Sequence, residues 1–140
     1  MDQTLIIRVD PRYPGAWDSL VPYVKSALGK SGAHRDWLED DVFAAIVSGQ
    51  CALWALIHND EIFGAVVSSE VYFPQRKVVD VTLMGTDPNT ENQWRICVEM
   101  FKKMAKACGA SCLTATGRPG WSRKIGADRE RIVFEIDLGD

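Results

Sequence analysis

The stretch that decides the fold is Val78-Val79-Asp80-Val81-Thr82-Leu83-Met84-Gly85-Thr86-Asp87-Pro88-Asn89-Thr90-Glu91-Asn92-Gln93. Val78 to Met84 is rich in β-branched residues and too short for a helix, so it predicts a strand. Gly85 stops it, and Thr86-Asp87-Pro88-Asn89 is a cluster of turn formers. Thr90 with Gln93 three residues on reads as a capping box. Beyond it, Trp94, Cys97, Val98, Phe101, Met104, Ala105 and Cys108 recur at helical spacing, with Arg95, Glu99, Lys102, Lys103 and Lys106 opposite. Gly109 ends that helix. A strand that feeds a helix N-terminus is a common seat for an anionic ligand.

Working outward, Thr4 to Val9 alternates as a first strand and stops at Pro11-Arg12-Tyr13-Pro14-Gly15. Trp17, Leu20, Val21, Val24 and Leu28 mark a first helix, and Asp36 with Glu39 predicts the capped start of a second that Gly49 closes. Cys51–Ile57 and Ile62–Phe73 read as strands joined by a hairpin over residues 58–61. After the long helix come a short strand from Cys112 to Thr116, a short helix opened by Pro119 and broken at Gly126, and a last strand from the alternation of Ile132, Phe134, Ile136 and Leu138. The order β-α-α-β-β-β-α-β-α-β predicts an α+β domain over residues 1–140: a mixed, mostly antiparallel sheet of about six strands with helices on both faces.

At 140 residues and 46% hydrophobic the chain has the size of one domain with an adequate core. Sixteen Lys+Arg against nineteen Asp+Glu give a net charge of −3, which argues against nucleic acid as a whole-surface partner. No apolar run reaches transmembrane length and no signal-peptide pattern opens the chain, so no membrane partner and a cytoplasmic location are expected. Cys51, Cys97, Cys108 and Cys112 lie among apolar residues and read as reduced thiols; no zinc motif accompanies Cys108 and Cys112, and no metal site is expected.

The order of elements, with its hairpin-rich middle, resembles the GCN5-related N-acetyltransferase (GNAT) fold. Trp121-Ser122-Arg123-Lys124-Ile125-Gly126-Ala127 looks like that family's late motif, an aromatic residue and short helix before a glycine turn. Gly117-Arg118-Pro119-Gly120-Trp121, with Trp54 and Trp94, is similar to small GNAT-like proteins encoded by tailed phages. The likeness spans residues 36–138.

The resemblance implies acetyl-CoA as cofactor, its pantetheine amides on the backbone of Leu83, Met84 and Gly85 and its pyrophosphate on the loop from Asp87 through Asn92. It implies an amine acceptor, on a small molecule or a protein. Arg95, Arg118, Arg123 and Lys124 are the candidate phosphate cations, Trp121 a cleft wall. Ser122 stands where the family commonly places a tyrosine acid. Glu70 and Asp80 are candidate general bases; the plain alternatives are a solvated strand-end charge and a hydrogen-bonded carboxylate. One departure carries weight: residues 86–93 hold no Lys, Arg or Gly, while Asp87 and Glu91 are acidic. At about 4–6 Å and an effective dielectric near 20, each carboxylate repels a phosphate charge by roughly 3–4 kcal/mol before screening. A second reading therefore stands beside the enzyme: a GNAT-fold phage protein without cofactor, serving as a virion component or host-protein binder.

Overall fold

Alternation in the middle of the chain builds the sheet. β2 (Cys51–His58) and β3 (Glu61–Phe73) form an antiparallel hairpin, whose turn places Asn59 and Asp60 at φ 50° and 68°, the left-handed region that these two residues tolerate best. β1 (Thr4–Val9) pairs antiparallel with β2, and β4 (Arg76–Thr86) with β3. β5 (Cys112–Ala115) joins β4 in parallel, giving a five-stranded mixed sheet in the order β1-β2-β3-β4-β5. The computed structural model describes residues 3–117 and 120–139.

Each face of the sheet buries its own apolar layer. Leu53, Ala55, Ala65, Val67 and Leu83 meet Leu20, Val24, Ala27 and Leu28 of α1 (Ala16–Ser31) and Val42, Ala45 and Ile46 of α2 (Glu39–Val47). On the other face Trp54, Leu56, Phe63, Val66 and Met84 meet Trp94, Cys97 and Phe101 of α3 (Glu91–Ala107), with Trp121 and Ile125 of α4 (Trp121–Ile125) at the border. Burial on this scale is the dominant stabilising term. The Trp54 indole N–H donates to buried Ser68 Oγ at 2.8 Å, satisfying the polar group that the α3-side layer encloses.

Three local expectations resolve differently. α2 starts at Glu39, because Asp36 belongs to a preceding 3-10 turn and the Asp41 carboxylate, not a box from Asp36, accepts the Leu38 N–H at 2.8 Å. At α3, Thr90 Oγ1 donates to the Asp87 carbonyl at 2.7 Å, so no side chain caps the helix and the Thr90–Gln93 box is not formed. The last expected strand is not paired: residues 128–139 form no regular element, and the sheet has five strands among the described residues.

Candidate active site

The site begins with a change of register. Leu83 pairs with Val67 but Val81 pairs with Ser68, so Thr82 is an extra residue, a β-bulge on β4. Bulged neighbours share a side: Thr82 bonds Asp80 and Ser69 on the α1/α2 face, and Leu83 packs in the α1/α2 layer too. Downstream the alternation is therefore shifted by one. Met84 faces α3, and Gly85 faces the backbone of Tyr23 in α1. A Cβ on Gly85 would lie 2.9 Å from the Tyr23 carbonyl carbon, which only glycine permits.

Just before the bulge, β4 and β5 part. Their pairing runs from Val78–Cys112 to Val81–Ala115 and ends there, while β4 continues to Thr86. Among the described residues the β5-side edge of β4 from Thr82 to Thr86 has no strand partner. Leu83, Met84 and Gly85, the expected cofactor strand, thus lie on one arm of an open fork, paired among the described residues only with β3.

Asp80 sits at the crotch of that fork. Its carboxylate accepts from Thr114 Oγ1 at 2.7 Å, across on β5, and from Thr82 Oγ1 at 3.1 Å; Ser69 Oγ lies 3.2 Å from Thr82 Oγ1. The buried thiol of Cys51 is pushed up, first by desolvation and then by the Asp80 charge. Glu70 stands on the opposite face of the sheet, one register step along β3 from Ser69, the partner of Asp80, on the side of the β3–β4 hairpin. It bonds Lys77 Nζ at 3.1 Å and the Tyr72 hydroxyl at 2.9 Å, and these donors hold its carboxyl below the usual range. The two candidate bases accordingly belong to different surfaces.

Beyond the fork, the turn takes its shape from Asn89, whose φ of 62° is the conformation a glycine would otherwise supply. Both acidic residues of this region are engaged. Asp87 Oδ2 accepts from the Tyr23 hydroxyl at 3.2 Å, and its N–H donates to the Phe63 carbonyl at 2.8 Å. Burial and then Asp87 push the Tyr23 phenol up. Glu91 Oε1 accepts from Arg95 Nη2 at 2.8 Å, and Arg95, seconded by Lys124, holds that carboxyl down.

Arg95 also lies over the Trp94 ring (5.7 Å) and Lys124 over Trp121 (5.5 Å), while the two indoles meet at 5.2 Å. The mouth between α3 and α4 is therefore an indole pair flanked by two cations. Ser122, in the first turn of α4, donates to Glu130. Asn92 lines a cavity of about 410 Å³ with Gln3, Thr4, His58, Gln93 and Ile96, on the β1 side of the α3 N-terminus. Arg118 falls outside the described residues.

A scan of protein-family models gives no match, and neither does a search of curated protein sequences. Solved structures do match. An aminoglycoside acetyltransferase from an uncultured soil metagenomic sample, in complex with sisomicin, superposes with a TM-score of 0.69 at 10% identity, covering 97% of each chain. Aminoglycoside N-acetyltransferase AAC(6')-Iy in complex with CoA gives 0.68 at 11%, covering 99% of this chain and 97% of the other. A ribosomal-protein-alanine N-acetyltransferase from Brucella melitensis biovar Abortus 2308 gives 0.62 at 9%, covering 98% and 100%. At such identities the likeness is one of fold: this chain has the α+β architecture of these acetyltransferases over nearly its whole length.

Proposed function

We propose that this chain is an N-acyltransferase that takes acetyl-CoA and acylates an amine on a small molecule or a protein. One observation carries the reading: β4 runs on past its last pair with β5, with a bulge at the point of parting, and leaves an edge with no strand partner among the described residues. The residues present fit the cofactor. Leu83, Met84 and Gly85 offer backbone groups on that edge to its amide arm. The uncapped first turn of α3, including Asn92, offers amides to its phosphates. Arg95 and Lys124 stand beside that turn, and the pairing of Asp87 and Glu91 draws both carboxylates into contacts of their own. The repulsion expected from the sequence is thereby reduced. Trp121, stacked on Trp94, walls the entrance.

When bound, the cofactor supplies an acyl thioester whose acyl group passes to the amine nitrogen. Asp80 is the base of this scheme. Its position at the crotch of the fork lets it take the proton the amine must lose, while Thr82 and Thr114 fix the carboxylate. Glu70 serves the hairpin instead. Ser122 acts as a proton donor only when it releases Glu130.

Calorimetric titration with acetyl-CoA and with CoA tests the binding claim. Thiol release in the presence of an amine panel tests the chemistry. Asp80→Asn is expected to lower kcat by about 10²–10⁴ with cofactor affinity unchanged, the usual range for losing a general base. An unaltered rate removes Asp80 from the mechanism. Absence of cofactor binding overturns the enzyme reading and leaves the binding protein, acting on a host or virion partner.

A further inference from the structure

The turn between β4 and α3 carries two side chains whose oxygens a helix N-terminus attracts, Asp87 and Thr90, and both are turned away from it. Thr90 stands at the N-cap, but its hydroxyl donates back to the Asp87 carbonyl at 2.7 Å. The Asp87 carboxylate points to α1, where Oδ2 accepts the Tyr23 hydroxyl at 3.2 Å. α3 therefore begins without a side-chain cap, and its first internal bond is from the Trp94 N–H to the Thr90 carbonyl at 3.0 Å. The N–H groups of Glu91, Asn92 and Gln93 have no acceptor within the helix.

Backbone bonds leave Asp87 a single freedom. Its N–H donates to the Phe63 carbonyl at 2.8 Å and its own carbonyl accepts from Thr90, so the main chain is fixed on both sides and only the carboxylate can swing. Tyr23 is what holds it. The Tyr23 backbone abuts Gly85, which has no Cβ to keep α1 off, and the phenol reaches past the end of β4. Its one proton has two acceptors in range, Asp87 Oδ2 and, at 3.5 Å, the Ile62 carbonyl; the ionised oxygen is the stronger.

We propose that Tyr23 is a positioning residue for the cofactor's phosphates: by holding the Asp87 carboxylate on the α1 side, it keeps the first turn of α3 open to them. This inference rests on the acetyl-CoA reading above and adds to it a residue 64 positions from the turn it acts on. Without the phenol the carboxylate swings to the vacant amides, where it occupies donors and repels the arriving anion. At a separation of about 6 Å and an effective dielectric near 40, between surface protein and water, one such repulsion amounts to roughly tenfold in affinity.

Calorimetric titration with CoA of wild type, Tyr23→Phe, Asp87→Asn and the double variant tests this. Phenylalanine keeps the ring, and dichroism checks that the fold is retained. Tyr23→Phe is expected to raise Kd about tenfold. The same change made in Asp87→Asn protein should cost nothing, because no carboxylate is left to release. Raising the salt from about 0.05 M to 0.5 M should shrink the tenfold loss, since the repulsion is screened. Wild type that binds CoA beside a Tyr23→Phe protein that binds it equally well overturns the role of Tyr23 alone. A loss that persists in the Asp87→Asn background, or that salt leaves unchanged, also overturns it, since a shift of α1 would act in that way. Wild type that takes up no CoA overturns the enzyme reading itself, and this inference with it.

Discussion

Gly85 gives the sharpest test of how the site is held. A methyl group there would come within 2.9 Å of the Tyr23 carbonyl carbon and 3.1 Å of the Tyr23 Cα, both backbone atoms that no rotamer change can move. Relief requires the whole of α1 to back away from β4, loosening Leu20, Val24 and Leu28 against Ala65, Val67 and Leu83. Overpacking a core costs about 1–3 kcal/mol and more where the obstacle is rigid, so Gly85→Ala is expected to lose about 3 kcal/mol. For a domain of this size that is a fall of roughly 10 °C in Tm. Gly29→Ala is the matched control: it lies in α1 with no atom within 4 Å of the added methyl, and is expected to gain about 0.5–1 kcal/mol through helix propensity. Thermal and urea unfolding of the two variants should move in opposite directions. A Gly85→Ala protein as stable as wild type would refute the close approach of α1 to the fork.

Three other outcomes are expected. Tyr23→Phe should cost about 1 kcal/mol and should remove from the ultraviolet titration a phenol that ionises above the ordinary value of 10.0, since burial and Asp87 raise it. The fully buried Cys97 thiol is pushed up to about 11 from 9.0. Because the folded value is the raised one, its contribution is intact below pH 9.0 and declines as the pH rises toward 11, by about 2–3 kcal/mol. Urea midpoints at pH 8 and pH 10.5 should show that decline in wild type and a shallower one in Cys97→Ala; equal slopes would contradict it. Trp54→Phe orphans the buried Ser68 hydroxyl and should lose about 1–3 kcal/mol, part of which the added change Ser68→Ala restores.

Legibility in the sequence tracks which forces are local. The β2–β3 hairpin and the amphipathic α3 are written in period-2 and period-3.6 patterns, and both stand where those patterns put them. Only the ends shift: β4 runs from Arg76 to Thr86, beyond the β-branched run at Val78–Met84, because its long partner β3 keeps pairing with it. The bulge at Thr82 carries no compositional mark, since register is settled by which residues of β3 are buried opposite. In the bare sequence Asp87 reads as an obstacle to anions because its partner, Tyr23, lies 64 residues earlier in the chain. Asn89 is different. Asparagine after Asp87-Pro88 is itself a signal for a left-handed turn residue, one that stands in for the missing glycine. The alternation at Ile132–Leu138 is a strand pattern, but a pattern states only what a segment is ready to pair with, not whether the partner edge is present.

Thr82 acts on the strand as a phase shift does on a wave. Because the bulge absorbs it, Met84 looks toward one helix layer and Gly85 toward the other; were the strand to run in regular alternation with Thr82 retained, the thioether of Met84 would be driven into the backbone of Tyr23 while Gly85 turned to the far side. Loss of Thr82 itself would leave both residues on the faces they now occupy, whereas ironing out the bulge would not. One bulge is enough to decide which wall of the fork meets which helix.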